Sequence, residues 1–147
     1  MKKQICKIEN EILINIFDDE KVDGIEKQNL LDKLKVIIKN GSEDNINIDY
    51  ADLRCVVDCG EESSILNIET DIKSLHKQIV DNDIFKPKVK GVLLNFKINS
   101  DMALIELAGV VDILNDSIDE DATVIFGIII DEDIQKNSVD ILAVISY

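Results

Sequence analysis

The chain has 147 residues and a formal net charge of −14, from 30 acidic and 16 basic residues. That length fits one domain of ordinary size, and 46% hydrophobic residues are enough for a packed core. So negative a field repels nucleic acid and anionic membranes, and we expect neither as a direct partner. The sequence offers no apolar run of membrane-spanning length and no signal-peptide pattern, so we expect a cytoplasmic protein.

Metal-binding and nucleophilic residue types are scarce. The three cysteines, Cys6, Cys55 and Cys59, are an odd number without a disulfide framework, and we expect buried reduced thiols. His76 is the single histidine and lies within a helical pattern, where a packed or solvated side chain is expected. We therefore expect no metal site and no cofactor held by this chain.

The first third of the chain predicts a front piece dominated by one long helix. Residues 4–8 alternate weakly, as in a strand, and residues 11–17 are apolar and ambiguous. Apolar residues recur at helical spacing over residues 23–40, and Gly41 is suited to stop that helix. We expect a boundary after this piece, which divides the chain into residues 1–44 and 45–147.

The remainder predicts an α+β fold, a two-layer sandwich. Its mixed sheet would have about four strands and two covering helices, with the long helix before it. The nearly continuous apolar run over residues 122–130 is typical of a central strand covered on at least one face. The predicted elements are a helix at 52–57, a strand at 63–69, a helix at 71–80, a strand at 89–98, a helix behind Asp101 as N-cap, and strands at 122–130 and 139–146.

Sequence signals for nucleotide binding or covalent catalysis are missing. There is no P-loop and no G-x-G-x-x-G motif, and the six glycines are scattered. No serine or cysteine has a local base beside it. Composition and spacing alone therefore leave the function open.

Two carboxylates, Asp49 and Asp52, lie three residues apart where a polar loop over residues 42–47 meets the predicted short helix. One interpretation is structural, since aspartate is a favoured N-cap and complements the helix dipole. The other is functional: the carboxylates would project outward to hold a cation or orient a water molecule. The residues themselves leave both interpretations open.

The segment that contains these two aspartates also resembles part of a known protein family. The segment Asn47-Ile48-Asp49-Tyr50-Ala51-Asp52 resembles the synergy loop of FtsZ, the bacterial cell-division GTPase related to tubulin. Other segments are similar to this family in the same order. They are residues 91–95 (Gly-Val-Leu-Leu-Asn), residues 100–106 at the start of a helix, residues 119–131 around Ile-Phe-Gly, and faintly residues 5–13 and 23–40, the latter like the family's central helix.

The resemblance implies a role toward another subunit. In this family the loop of one subunit enters the nucleotide site of the next, where acidic side chains help position the attacking water. It implies that Asn47, Asp49 and Asp52 act in trans on GTP. The side chains expected to contact the partner are Ile46, Ile48, Tyr50 and Arg54. GTP and a cation would belong to the partner subunit, which is an FtsZ-type GTPase or the chain's own missing N-terminal half; self-association is also possible.

Departures from the family limit this expectation. The glycine-rich phosphate loop and the tail peptide that recruits membrane tethers are missing, and residues 58–64 replace a Met-Gly-rich segment. We therefore expect neither GTP binding nor turnover by this chain alone. It would be an excised domain, or a complete small protein that caps a filament end. The alternatives are a non-enzymatic protein-interaction module that kept the sandwich, and a small-ligand sensor supported only by the fold class.

Overall fold

Five strands and five helices occur in the part of the chain that the structure, a computed structural model, describes: residues 2–16, 24–39, 45–81 and 85–147. The elements are β1 (Lys2–Glu9), α1 (Asn10–Asn15), α2 (Ile25–Lys39), α3 (Tyr50–Val57), β2 (Glu62–Asp71), α4 (Ile72–Asp81), β3 (Gly91–Ile98), α5 (Leu104–Ser117), β4 (Thr123–Ile130) and β5 (Ser138–Ser146).

The strands form a mixed sheet in the order β1-β2-β5-β3-β4. Of the four pairs among the described strands, β3–β4 is parallel and the other three are antiparallel. The expected α+β fold with a mixed sheet is confirmed. The sheet has five strands rather than about four because β1, whose alternation is weak, pairs with β2 from Lys2↔Glu69 to Glu9↔Glu62.

Helices cover both faces of the sheet. One core contains residues of α4 and α5 with Leu66, Leu94 and Phe96 of the strands. The other contains residues of α1, α2 and α3 with Ile65 and Leu93. Because neighbouring residues of a strand face opposite sides, a strand that is apolar throughout is packed on both. The long helix therefore lies on the sheet, which adds a third layer to the expected two.

Strand β4 lies at the edge of the sheet, so the expectation that residues 122–130 form a central strand is wrong. Its side chains pack against both cores: Val124 and Ile130 on the α5 side, Ile125 and Ile129 on the α3 side. A strand whose two faces are both covered needs an apolar run whether it lies at the edge of a sheet or in its middle. The run therefore reports covered faces and not the position of the strand.

Helix α5 begins later than expected, and Asp101 is not its N-cap. The N-cap is Ala103, which provides no side-chain hydrogen bond. The backbone N–H of Asp101 donates instead to Asn99 Oδ1 at 3.0 Å, in a turn that precedes the helix. The Asp101 carboxylate lies 3.2 Å from Lys136 Nζ at the surface.

Helix α2 confirms the predicted long helix over residues 25–39, whereas Gly24, which lies within the predicted range, has a φ of 94° and precedes the helix. Gly41, the predicted stop, lies outside the described residues, and the boundary between residues 44 and 45 remains a prediction. Lys33 links α2 to the sheet by two hydrogen bonds. Its Nζ donates to Asn67 Oδ1 and to Asp140 Oδ2, both at 2.8 Å.

The three cysteines are free, but only Cys6 is buried; burial raises the pKa of its thiol. Cys55, on α3, is exposed, and Cys59, in the turn after that helix, is half-buried, so the expectation of buried thiols is wrong for these two. His76 is exposed on α4. Within the described ranges, no helix is long and apolar enough to cross a membrane.

Candidate functional site

A capping box starts helix α3 at the candidate loop. Asp49 is the N-cap, with extended backbone, and its Oδ1 accepts the backbone N–H of Asp52 at 2.8 Å. In return, Asp52 Oδ2 accepts the backbone N–H of Asp49 at 3.0 Å. The helix therefore begins at Tyr50, two residues before the predicted start, and both carboxylates are held at a fixed place on its first turn.

Each of these carboxylates keeps a second oxygen. Asp49 is exposed and Asp52 half-buried, and neither Asp49 Oδ2 nor Asp52 Oδ1 has a hydrogen-bond partner among the residues that the structure describes. The positive end of the helix dipole favours negative charge at this position. Two fixed carboxylate oxygens at a surface can orient a water molecule or contribute ligands to a cation.

The described residues do not complete a metal site around these carboxylates. Among them, no group of three or more His, Cys, Asp or Glu side chains is placed to hold an ion. A divalent cation of the hard type takes six or more oxygen ligands, or keeps several waters. A cation at Asp49 and Asp52 would therefore need most of its ligands from outside this cluster.

The loop before α3 is fixed to the edge strand β4. Ile46 and Ile128 exchange backbone hydrogen bonds of 2.9 and 2.8 Å, and Asn45 Oδ1 accepts the N–H of Ile130 at 3.0 Å. The loop then passes so close over Gly127 that a Cβ there would lie 2.8 Å from both Ile46 O and Ile48 Cγ2. Glycine is required here because any larger residue would displace the loop.

Two of the residues expected to contact a partner point inward. Ile48 is only 2% exposed and belongs to the core between α3 and the sheet, so its side chain does not face a partner. Tyr50 is half-buried, and its hydroxyl donates to the carbonyl oxygen of Ile14 at 3.1 Å. Both residues therefore hold the loop in place.

The other predicted side chains lie at the surface. Ile46 is 48% exposed although it is a large apolar residue, and Asn47 is exposed beside it. Arg54, one turn further along α3, is exposed and lies 3.8 Å from Asp58. Asn47, Asp49 and Asp52 lie at the N-terminus of α3, whereas Arg54, two residues after Asp52, lies on a different side of the helix.

Sequence reasoning assigned no role to two residues beneath the loop. Asn95 and Gly127 lie side by side in the β3–β4 register, and Asn95 is 2% exposed. Its Oδ1 has no hydrogen-bond partner among the described residues and lies 3.4 Å from where a Cβ on Gly127 would be. A glycine within an apolar strand is the signal that a backbone approaches closely, and it was available in the sequence.

Residues 59–146 match the FtsZ family, C-terminal domain. Cell division protein FtsZ of Haloferax mediterranei is 30% identical over 97 residues, which are 61% of this chain and 26% of that protein. The match to the family begins just after the candidate loop.

Solved structures agree in fold. The empty FtsZ dimer of M. jannaschii superposes with a TM-score of 0.64 at 26% identity, over 94% of this chain and 43% of that chain. A mutant FtsZ of the same organism has a TM-score of 0.61 at 22% identity, over 92% and 44%, and shows the fold alone. The chain spans about a quarter of the curated relative's length. It belongs to the FtsZ family, whose C-terminal domain its residues 59–146 match.

Proposed function

We propose that this FtsZ-family domain presents Asn47, Asp49 and Asp52 to the GTP site of a neighbouring FtsZ-type subunit. The capping box carries the proposal. It holds one oxygen of each carboxylate within the chain and leaves the other without a described partner on an exposed surface. The structural and the functional interpretation of these aspartates are therefore compatible.

The chemistry of GTP hydrolysis fits such a contribution. Phosphoryl transfer to water depends mainly on positioning and on charge stabilisation. A carboxylate beside the γ-phosphate is repelled unless a water molecule or a cation lies between the two, and either arrangement orients the attacking water. In this proposal the partner subunit, in the cytoplasm, holds the GTP and the cation, and this chain alone turns over no GTP.

Complementation in trans tests the proposal. The acceptor is a purified FtsZ in which the two matching loop carboxylates have been replaced by amides, so that it binds GTP but hydrolyses it slowly. Adding this chain in excess is expected to raise turnover about tenfold or more, because positioned acid–base groups contribute on the order of 10²–10⁴. Phosphate release is the measurement, and sedimentation of polymer is recorded in parallel to separate activation from end capping.

The matched variants keep the fold and remove the charge. Asp49→Asn and Asp52→Asn preserve a side-chain oxygen for the capping box, and Asp58→Asn changes an exposed aspartate at the other end of α3. The first two are expected to abolish the gain in turnover, and the third to leave it intact. If the chain changes neither turnover nor polymer mass at stoichiometric excess, the proposal is wrong.

The second candidate is a protein-interaction module that kept this fold without a filament role. Its support is the capping box, which explains both aspartates by helix initiation alone. The same variants discriminate between the two. Partner binding that is indifferent to Asp49→Asn and Asp52→Asn favours the module, since the carboxylates then serve only the helix.

A further inference from the structure

The residues that the structure describes cover the outer edge of β4 along only half of its length. Ile128 and Ile130 have their outward backbone groups bonded to Ile46 and Asn45. Alternate residues of a strand direct their N–H and C=O to the same side, so those of Val124 and Phe126 face outward as well. Among the described residues, no backbone partner bonds these two on the outer side.

In the described part of the chain, the open half has none of the devices that usually protect an edge. Natural edges carry lysine, proline, a bulge or a covering loop. Here the strand is the apolar run Thr123–Ile130 with eight regularly paired residues, and Phe126 is 42% exposed. An apolar side chain beside free main-chain donors and acceptors is the surface to which an extended peptide adds as a new strand.

Acidic residues border this open half. Asp119 is paired with Lys90 at 2.6 Å, whereas the exposed Glu120 and Asp121 have no ion pair with a described residue. Ile46 blocks the strand from residue 128 onward. A segment that fits is thus short, about four or five residues at 3.4 Å each. It is apolar beside Phe126 and basic where it passes Glu120 and Asp121.

A second copy of the chain is disfavoured in the antiparallel register that is centred on the open half. In an antiparallel pair of two β4 strands centred on residue 125, residue 119 would lie opposite residue 131 of the other copy, and both are aspartates. Like charges directly opposite each other destabilise a strand pair. Residue 121 would meet residue 129, where the copy's own Ile46 already lies against the edge.

We propose that the open edge of β4 at Val124 and Phe126 binds a short basic and apolar segment of a partner protein by strand addition. Main-chain hydrogen bonds to Val124 and Phe126 hold the segment, Phe126 packs against its apolar side chain, and Glu120 with Asp121 bind its lysine or arginine. This inference goes beyond the role proposed for the loop and does not depend on it.

The test uses a dansyl-labelled peptide, Lys-Lys-Val-Thr-Val-Thr, with the full chain. Binding is followed by fluorescence anisotropy, and amide hydrogen exchange is followed by NMR. The peptide is expected to slow exchange at Val124 and Phe126. Replacing its lysines by glutamate is expected to abolish binding. Of two peptides N-methylated at the valines or at the threonines, one is expected to lose binding, because only alternate amides face the edge.

Two chain variants localise the site. Val124→Pro removes an outward N–H but keeps the β3–β4 ladder, and proline is tolerated at an edge. The double reversal Glu120→Lys with Asp121→Lys is expected to weaken binding about tenfold, as is Val124→Pro. The charge-matched control is Glu61→Lys with Glu62→Lys, which changes two exposed acids next to and at the start of β2, three strands away in the sheet.

Three results would overturn the inference. The first is unchanged exchange at Val124 and Phe126 with saturating peptide. The second is equal weakening by the two charge reversals, which indicates attraction to the acidic surface as a whole. The third is a dimer in sedimentation that Val124→Pro converts to a monomer, which makes a second copy the occupant.

Discussion

Asp49 and Asp52 each accept the other's backbone N–H, at 2.8 and 3.0 Å, so one pair of side chains fixes both the start of α3 and the position of two surface charges. Stability and charge are therefore separable by mutation. Asp49→Ala is expected to lower the free energy of unfolding by about 1 kcal/mol, through loss of the cap. Asp49→Asn keeps the acceptor oxygen and is expected to lower the free energy of unfolding by only about a few tenths of a kcal/mol. Urea unfolding followed by circular dichroism measures both.

The control for this pair is Asp58→Ala at the other end of α3. Asp58 is exposed and 3.8 Å from Arg54, and an exposed pair of this kind contributes little. If Asp49→Asn destabilises as much as Asp49→Ala, the cap oxygen is not what starts the helix, and the carboxylate charge itself carries the stability.

Gly127→Ala tests whether the loop depends on the edge strand beneath it. A Cβ at this position meets a backbone oxygen and a side-chain carbon at 2.8 Å, so the loop must move. We expect a loss of about 1–3 kcal/mol in unfolding free energy, the usual cost of overpacking. We also expect faster amide exchange at Ile46 and Ile128, whose mutual hydrogen bonds hold the loop.

Gly109→Ala is the matched control in the same domain. It lies in α5, and the nearest atom to a Cβ there is Cε1 of His76 at 4.0 Å. The substitution is expected to stabilise by about 0.5–1 kcal/mol, since alanine is the better helix former. Equal behaviour of the two alanine variants would contradict the requirement for glycine at residue 127.

Local patterns made several features predictable. The spacing of Asp49 and Asp52 predicts a helix start, because a cap depends on residues three apart in sequence. The β3 strand and the α2 helix were predictable from apolar periodicity, which reports local geometry and burial. The resemblance placed the fold correctly because its segments occur in the family's order over most of the chain.

Features set by distant pairing could not be read in this way. The edge position of β4 depends on which strands pair, and an apolar run looks the same wherever both faces are covered. Ile48 was expected to contact a partner because its loop resembles that of the family, but it is buried between α3 and the sheet by packing that is not visible in the loop sequence. Asp101 looked like a cap, yet its carboxylate lies beside Lys136 and the helix has Ala103 as its N-cap.

Lys33→Met tests the attachment of α2 to the sheet. Lys33 Nζ donates to Asn67 and Asp140, whose carboxylate side chain is 15% exposed, so its removal leaves partly buried oxygens without a donor. We expect a loss of about 1–3 kcal/mol, the cost of leaving such groups unpaired. Urea unfolding gives the magnitude, and amide exchange in α2 shows whether this helix loosens first.

The control for Lys33→Met is an ion pair at the surface of the same chain. Lys136 and Asp101 form a pair at 3.2 Å whose side chains are 75% and 59% exposed. Lys136→Met is expected to change stability by only about 0–1 kcal/mol, because solvent screens exposed pairs. A cost for Lys33→Met no larger than that for Lys136→Met would show that the network on the sheet does not hold α2.

Acid stability depends in part on Asp119. The hydrogen bond from Lys90 Nζ, helped by the backbone N–H of Asp121, holds the pKa of the Asp119 carboxyl below its ordinary value of 3.8. A depressed pKa in the folded state adds stability that is present above pH 3.8 and is lost as the pH falls through the folded value.

Lys90→Met is therefore expected to raise the pKa of Asp119 and to flatten the fall in stability below that pH. Carbon-detected NMR titration of the Asp119 carboxyl measures the pKa directly, and urea midpoints across the acid range measure the consequence. Lys88→Met is the control, since Lys88 lies over the ring of Tyr147, 4.9 Å from its centroid. If both lysine variants shift the Asp119 titration equally, the general field and not the Lys90 hydrogen bond sets it. An unmoved titration in Lys90→Met would contradict the assignment outright.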